Sequence, residues 1–106
     1  MSGVWTRVAR ADEIREGEVR VFQVGGESVA VCNVGGTFHA IEDLCTHDDG
    51  PLGEGRLEEH CIECPRHGAR FDVRTGEVLR MPAASPVRTF ATKIEGGDVY
   101  VAVGEV

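Results

Sequence analysis

Two short pairs of cysteine and histidine constrain this chain more than any other feature. The first pair is Cys45-x-His47 and the second is Cys64-x-x-His67. Glycine or proline lies inside or just beyond each pair, which favours a tight turn at each one. Two separate loops can therefore each present one thiolate and one imidazole to the same point. Four such ligands converging on one point indicate a metal site.

The division of ligands between the loops bears on which metal would bind. Structural zinc sites use four Cys or His ligands, but zinc-finger spacing places both cysteines on one knuckle and both histidines elsewhere. Here each loop carries one of each, which fits a two-iron cluster with two thiolates on one iron and two imidazoles on the other. Zinc stays an alternative, in which the chain would be a zinc-stabilised interaction module without a redox role.

The residues around both pairs resemble those of Rieske [2Fe–2S] proteins. The matching stretches are Cys45-Thr46-His47, Cys64-Pro65-Arg66-His67-Gly68, Phe71-Asp72 and Thr75-Gly76. The resemblance covers essentially the whole chain, because 106 residues is the size of a free-standing Rieske ferredoxin. It implies one [2Fe–2S] cluster per chain, with Cys45 and Cys64 on the inner iron and His47 and His67 on the outer iron.

The function implied by this resemblance is that of a soluble one-electron carrier and not of an enzyme. Such a ferredoxin passes electrons from an NAD(P)H-dependent flavin reductase to a terminal non-haem iron oxygenase of the aromatic-ring dioxygenase type, in aromatic hydrocarbon catabolism. Two related roles stay open. The chain could be the Rieske-like small subunit of an assimilatory nitrite reductase, or it could serve a monooxygenase.

Four residues near the pairs predict a low reduction potential within the family range of about −150 to +300 mV. High-potential Rieske proteins have a disulfide between the two cluster loops, and the corresponding residues here, Gly50 and Arg66, cannot form one. Those proteins also have a serine and a tyrosine whose hydroxyls donate hydrogen bonds to sulfur. The corresponding residues here are Ala69 and Phe71, which have no hydroxyl.

Periodicity predicts an all-β chain, because short apolar runs alternate with turns and no ten-residue helical pattern occurs. Gly25-Gly26 and Gly35-Gly36 predict an antiparallel meander, and Trp5 should anchor the first strand to the core. Together with the resemblance, this predicts a Rieske fold over residues 1–106. It would be an antiparallel β barrel or sandwich with a small inserted cluster-binding subdomain at approximately residues 43–83. The resemblance assigns Pro82 and Ala83 to a loop that covers the cluster.

The charge and hydropathy of the chain limit which partners it is expected to bind and where in the cell it is expected to lie. The net charge of −7 argues against nucleic-acid binding. No apolar run is long enough to span a bilayer, and the N-terminal residues show no apolar signal region. We therefore expect a cytoplasmic, monomeric protein with no membrane partner.

The remaining cysteines and histidines have simpler interpretations. Cys32 lies in an apolar strand and should be a small buried hydrophobe. Cys61-x-x-Cys64 has a metal-binding spacing, but we expect Cys61 to be a buried strand residue. His39 and His60 should be surface or half-buried residues.

A patch for docking to partners is expected near the ligand histidines. Its members are Asp48, Asp49, Pro51, Leu52, Pro65, Arg66 and Pro82.

Overall fold

In a computed structural model of the chain, the structure describes residues 4–44, 50–65, 68–81 and 85–103, with the side chain of Val4 left out. Ten strands and one 3-10 turn lie in these ranges. In chain order they are β1 (Val4–Arg10), the 3-10 turn (Ala11–Glu13), β2 (Val19–Val24), β3 (Glu27–Val34), β4 (Thr37–Glu42), β5 (Arg56–Glu58), β6 (Cys61–Glu63), β7 (Arg70–Asp72), β8 (Val78–Arg80), β9 (Thr89–Glu95) and β10 (Asp98–Val103).

Six strands form one antiparallel sheet in the order β1-β10-β9-β4-β3-β2. The glycine pairs at 25–26 and 35–36 join β2, β3 and β4, and all four glycines have positive φ, a conformation that glycine adopts without steric cost. The edge strands β1 and β2 lie in contact. The sheet therefore curls into a nearly closed barrel.

The other four strands form a small antiparallel sheet in the order β5-β6-β7-β8. This small sheet falls within residues 43–83, the range predicted for the inserted subdomain. One apolar row crosses it from strand to strand. The row consists of Leu57, Ile62, Phe71 and Val78.

The central strand β3 explains how the two sheets pack. Val29 and Val31 point into the barrel, where they join one buried cluster. Ala30 and Cys32 point the other way and join a second cluster with Ile62 and Phe71 of the small sheet. Because side chains alternate along a strand, an uninterrupted apolar run is needed where both faces are buried. All four of these β3 residues are 0% exposed.

The predicted all-β architecture, a barrel-like sheet with a smaller sheet beside it, is confirmed, but the prediction for Trp5 is wrong. Trp5 is half-buried and belongs to neither core cluster of the described residues. Its ring instead lies beneath the Lys93 ammonium, whose Nζ is 4.7 Å from the ring centroid. Trp5 therefore makes a cation–π contact on the outer face of the barrel.

Within the ranges that the structure describes, no helix combines the length and apolar character needed to cross a lipid bilayer.

Candidate metal centre

Cys64 is the one predicted ligand that falls within the described residues, since Cys45, His47 and His67 lie outside them. It directly follows β6. Its amide N donates to the carbonyl oxygen of Ala69 at 2.7 Å, and its own carbonyl oxygen accepts from the amide N of Gly68 at 3.1 Å. Gly68 has φ +77, a left-handed conformation that favours glycine. These contacts form a tight turn, so the backbone at Cys64 is fixed by its neighbours.

The surroundings of Cys64 are apolar. The residue is 1% exposed and clusters with Leu52, Ile62, Ala69 and Phe71, each of them 0% exposed. Ala69 and Phe71 thus belong to the same buried apolar cluster as this cysteine. Neither side chain can donate a hydrogen bond to that sulfur.

Leu52 does not belong to the expected docking patch. The sequence suggested an exposed contact residue, but Leu52 is fully buried. Its loop folds back tightly, because the Gly55 amide N donates to the Leu52 carbonyl oxygen at 2.8 Å, and a Cβ on Gly55 would overlap the Glu63 carbonyl oxygen. Leu52 therefore fills the core beside Cys64, and its neighbour Pro51 is the exposed residue.

The residues described here fit an iron–sulfur ligand at Cys64. Its thiol is free and not in a disulfide, it sits at the edge of a dry apolar cluster, and thiolate is the donor that such clusters use. A cleft of about 250 Å³ opens beside it and is lined by Glu54, Gly55, Arg56, Glu63, Cys64 and Pro65. Cys64 therefore lies where the interior meets the surface, as expected of a ligand that joins a cofactor to the fold.

Cys32 and Cys61 differ from Cys64 in their surroundings. Cys32 is fully buried, as predicted, and burial raises the pKa of its thiol to about 12. Cys61 is half-exposed, so the expectation of a buried residue is wrong. It pairs with Glu58 and Asp72 on the charged outer face of the small sheet. Burial also raises the pKa of Cys61, with Arg70 opposing, and a raised pKa disfavours the thiolate that metal binding requires.

His39 and His60 lie close together between the two sheets. Both are half-buried, as predicted, and their ring centroids are 6.0 Å apart in an edge-to-face arrangement. In the described ranges, no group of three or more His, Cys, Asp or Glu side chains could hold a metal ion. This histidine pair is therefore a packing contact within the described residues.

The histidine pair predicts a loss of stability in mild acid. Burial, followed by the positive charges of His60 and Arg74, lowers the pKa of His39, with Asp72 opposing. The unfolded state then binds a proton more readily than the folded state, so the free energy of unfolding falls as the pH drops below about 6.5. Between about pH 7.5 and about pH 5.5, the free energy of unfolding measured in urea should fall less for His39→Gln than for the unsubstituted protein. An identical pH dependence in both would contradict this.

Comparisons with known proteins agree with the fold described above and with the two Cys-His pairs. The family model described as "Rieske [2Fe-2S] domain" matches residues 4–91. The chain is 46% identical over 96 residues to the ferredoxin component of biphenyl 2,3-dioxygenase from Rhodococcus jostii (strain RHA1), covering 91% of this chain and 90% of that protein.

Two solved structures are similar over nearly the full length. The ferredoxin of carbazole 1,9a-dioxygenase from Nocardioides aromaticivorans IC177 is 37% identical with a TM-score of 0.91, covering 93% of this chain and 97% of that one. A chain in the complex of reduced oxygenase and oxidized ferredoxin in carbazole 1,9a-dioxygenase is 40% identical with a TM-score of 0.89, covering 94% of each. This chain therefore belongs to the Rieske [2Fe–2S] family, as a ferredoxin that holds one [2Fe–2S] cluster.

Proposed function

We propose that Cys45 and Cys64 bind one iron of the cluster and that His47 and His67 bind the other, in a one-electron carrier. The observation that carries this proposal is Cys64, a buried free cysteine in a turn that bears the family motif. When bound, the cluster supplies a one-electron couple, with every iron position taken by sulfide, thiolate or imidazole. The chain would accordingly carry electrons without transforming a substrate.

The residues around Cys64 support a low reduction potential. Leu52, Ala69 and Phe71 exclude water from this side of the ligand, and none of their side chains can donate a hydrogen bond. Reduction adds negative charge, which donors and water would stabilise. Their absence therefore favours the oxidised state, and we place the potential near the low end of the family range of about −150 to +300 mV.

The acceptor we propose is a terminal oxygenase of the aromatic-ring dioxygenase type, and the donor is an NAD(P)H-dependent flavin reductase. Two relatives support the acceptor. One is named as a ferredoxin component of biphenyl 2,3-dioxygenase, and the other was solved with an oxygenase. We further propose a single domain over residues 1–106 that acts as a monomer in the cytoplasm. The free thiols of Cys32, Cys61 and Cys64 suit such a reducing compartment.

Two exposed apolar side chains mark the surface that would meet the oxygenase. Leu79 is 54% exposed and Met81 is 80% exposed. Both lie within three residues of Pro82 in the chain, which the family resemblance assigns, with Ala83, to the loop over the cluster. Exposed apolar side chains next to a functional site are typical of contact surfaces, and transient interfaces centre on such residues with charges at their rim. Arg80 between them is exposed and supplies such a charge.

Met81→Asp should slow electron delivery to the terminal oxygenase by about tenfold or more, because burying a carboxylate in place of an apolar side chain costs more than the roughly 1.4 kcal/mol that a tenfold change represents. Stopped-flow mixing of reduced ferredoxin with oxidised oxygenase measures the rate. The cluster content and the reduction potential should not change.

Ile94→Asp is the matched control. Ile94 is 50% exposed and also apolar, but it lies on β9 of the other sheet. Equal rates of electron delivery for Met81→Asp and Ile94→Asp would show that Met81 is not part of the interface. The role itself is tested in the same assay: an iron-loaded protein that no flavin reductase can reduce and no oxygenase can reoxidise would overturn the proposed function.

A further inference from the structure

The carboxylate of Asp43 ties together the two segments that flank the first Cys-His pair. Asp43 lies two residues before Cys45, and its Oδ1 accepts a hydrogen bond from the amide N of Gly53 at 2.6 Å. Its own amide N donates to the carbonyl oxygen of Ser28 at 2.9 Å. Asp43 therefore links Gly53, in the loop of residues 50–55 that precedes β5, to Ser28 of β3.

Gly53 is suited to this contact because the space around it admits no side chain. A Cβ on Gly53 would overlap Cγ2 of Val21 and would lie 3.1 Å from Oδ1 of Asp43. The backbone at Gly53 therefore packs directly between β2 and the Asp43 carboxylate.

The same loop contacts the strand that leads to the second pair. Gly55 packs against the Glu63 carbonyl oxygen with no room for a Cβ, and Glu63 immediately precedes Cys64. Leu52 is buried in one cluster with Cys64. This loop is thus held at Gly53 by Asp43 and at Gly55 by β6, and it lies between the two pairs in the chain.

We propose that Asp43 is a positioning residue for the cluster. By accepting the Gly53 hydrogen bond, it holds the segment that enters Cys45 and His47 at a fixed place relative to Cys64. This inference depends on the proposed function only in taking Cys45 and His47 as ligands. What it requires of residue 43 is an acceptor oxygen at this point, so asparagine should substitute and alanine should not.

The test compares Asp43→Ala with Asp43→Asn in the cluster-loaded protein. Asp43→Ala should lose iron to a chelator about tenfold faster and should show an altered electron paramagnetic resonance spectrum when reduced. Asp43→Asn should stay close to the unsubstituted protein in both measurements. Glu16→Ala is the control, because it removes an exposed carboxylate from another loop, between the 3-10 turn and β2.

The outcomes separate this inference from the proposed function. An unsubstituted protein that binds no iron–sulfur cluster would overturn both. If that protein holds the cluster, an Asp43→Ala variant with unchanged iron release and spectrum would overturn the role of Asp43 alone, and so would an asparagine variant as defective as alanine. Circular dichroism checks that the sheets are intact. If Asp43→Ala does not fold, Asp43→Leu, which keeps the size but has no acceptor, takes its place in the comparison.

Discussion

Replacing Cys64 by serine should abolish the cluster, so that the purified variant retains about a tenth or less of the iron and sulfide of the unsubstituted protein. A serine hydroxyl does not ionise near neutral pH and is a poor ligand for iron in an iron–sulfur cluster. Cys64 is buried in a tightly hydrogen-bonded turn, so a neighbouring thiol cannot readily replace it. Iron and acid-labile sulfide analysis, together with the visible absorption spectrum, measures the loss.

Cys61→Ser and Cys32→Ala provide matched controls. Cys61 lies only three residues before Cys64, but it pairs with Glu58 and Asp72 on the outer face of the small sheet. Cys32 is fully buried in β3, and its thiol has a pKa of about 12. Both variants should keep a full cluster. A Cys61→Ser variant without a cluster, alongside a Cys64→Ser variant that kept it, would reverse the ligand assignment.

Adding the two missing hydroxyls should raise the reduction potential. Ala69→Ser and Phe71→Tyr place O–H donors at two positions near Cys64. The Ala69 carbonyl oxygen accepts from the Cys64 amide N, and Phe71 pairs with Ile62, two residues before Cys64. A hydrogen bond to a charged group is worth about 1.5–3 kcal/mol, and only the part that differs between the oxidised and reduced states moves the potential. Because about 59 mV corresponds to a tenfold change in a one-electron equilibrium, the double variant should rise by roughly 50–100 mV.

The control for this pair must add a hydroxyl elsewhere in the same core. Val73 is 1% exposed and belongs to the same cluster, but its amide N donates to the carbonyl oxygen of His60, four residues before Cys64. Val73→Thr therefore adds a buried hydroxyl farther along the sheet from the ligand. It should cost stability without moving the potential. A double variant with the potential of the unsubstituted protein would show that these two positions do not set it.

The sequence predicted most of the strands because local chemistry determines them. Glycine pairs reverse the chain between β2, β3 and β4, and the apolar run of β3 requires burial on both faces, which the two sheets provide. The turn at Cys64 follows from Pro65 and Gly68. These features depend on few residues that are close in sequence, so they can be recognised without knowing the tertiary structure.

The expectations that proved wrong depend on contacts between distant residues. Leu52 lies near a predicted ligand histidine in the chain, which suggested a place in the docking patch, but it is buried in a loop whose Gly55 packs against Glu63. Trp5 is apolar and aromatic, but its strand position places it beside Lys93 on the outer face. Cys61 alternates with Ile62, and only the pairing of β6 shows which of them faces the core. The Asp43–Gly53 contact also gave no signal in the sequence, since neither residue has a distinctive motif.

Film voltammetry of the purified protein at pH 7 tests the central claim most directly. We expect a reversible one-electron wave close to −150 mV, at the low end of the range of about −150 to +300 mV for Rieske clusters. A wave close to +300 mV would leave the cluster in place and contradict the role given to Ala69 and Phe71. No wave from folded, metal-loaded protein would contradict the electron-transfer role and favour a structural zinc site.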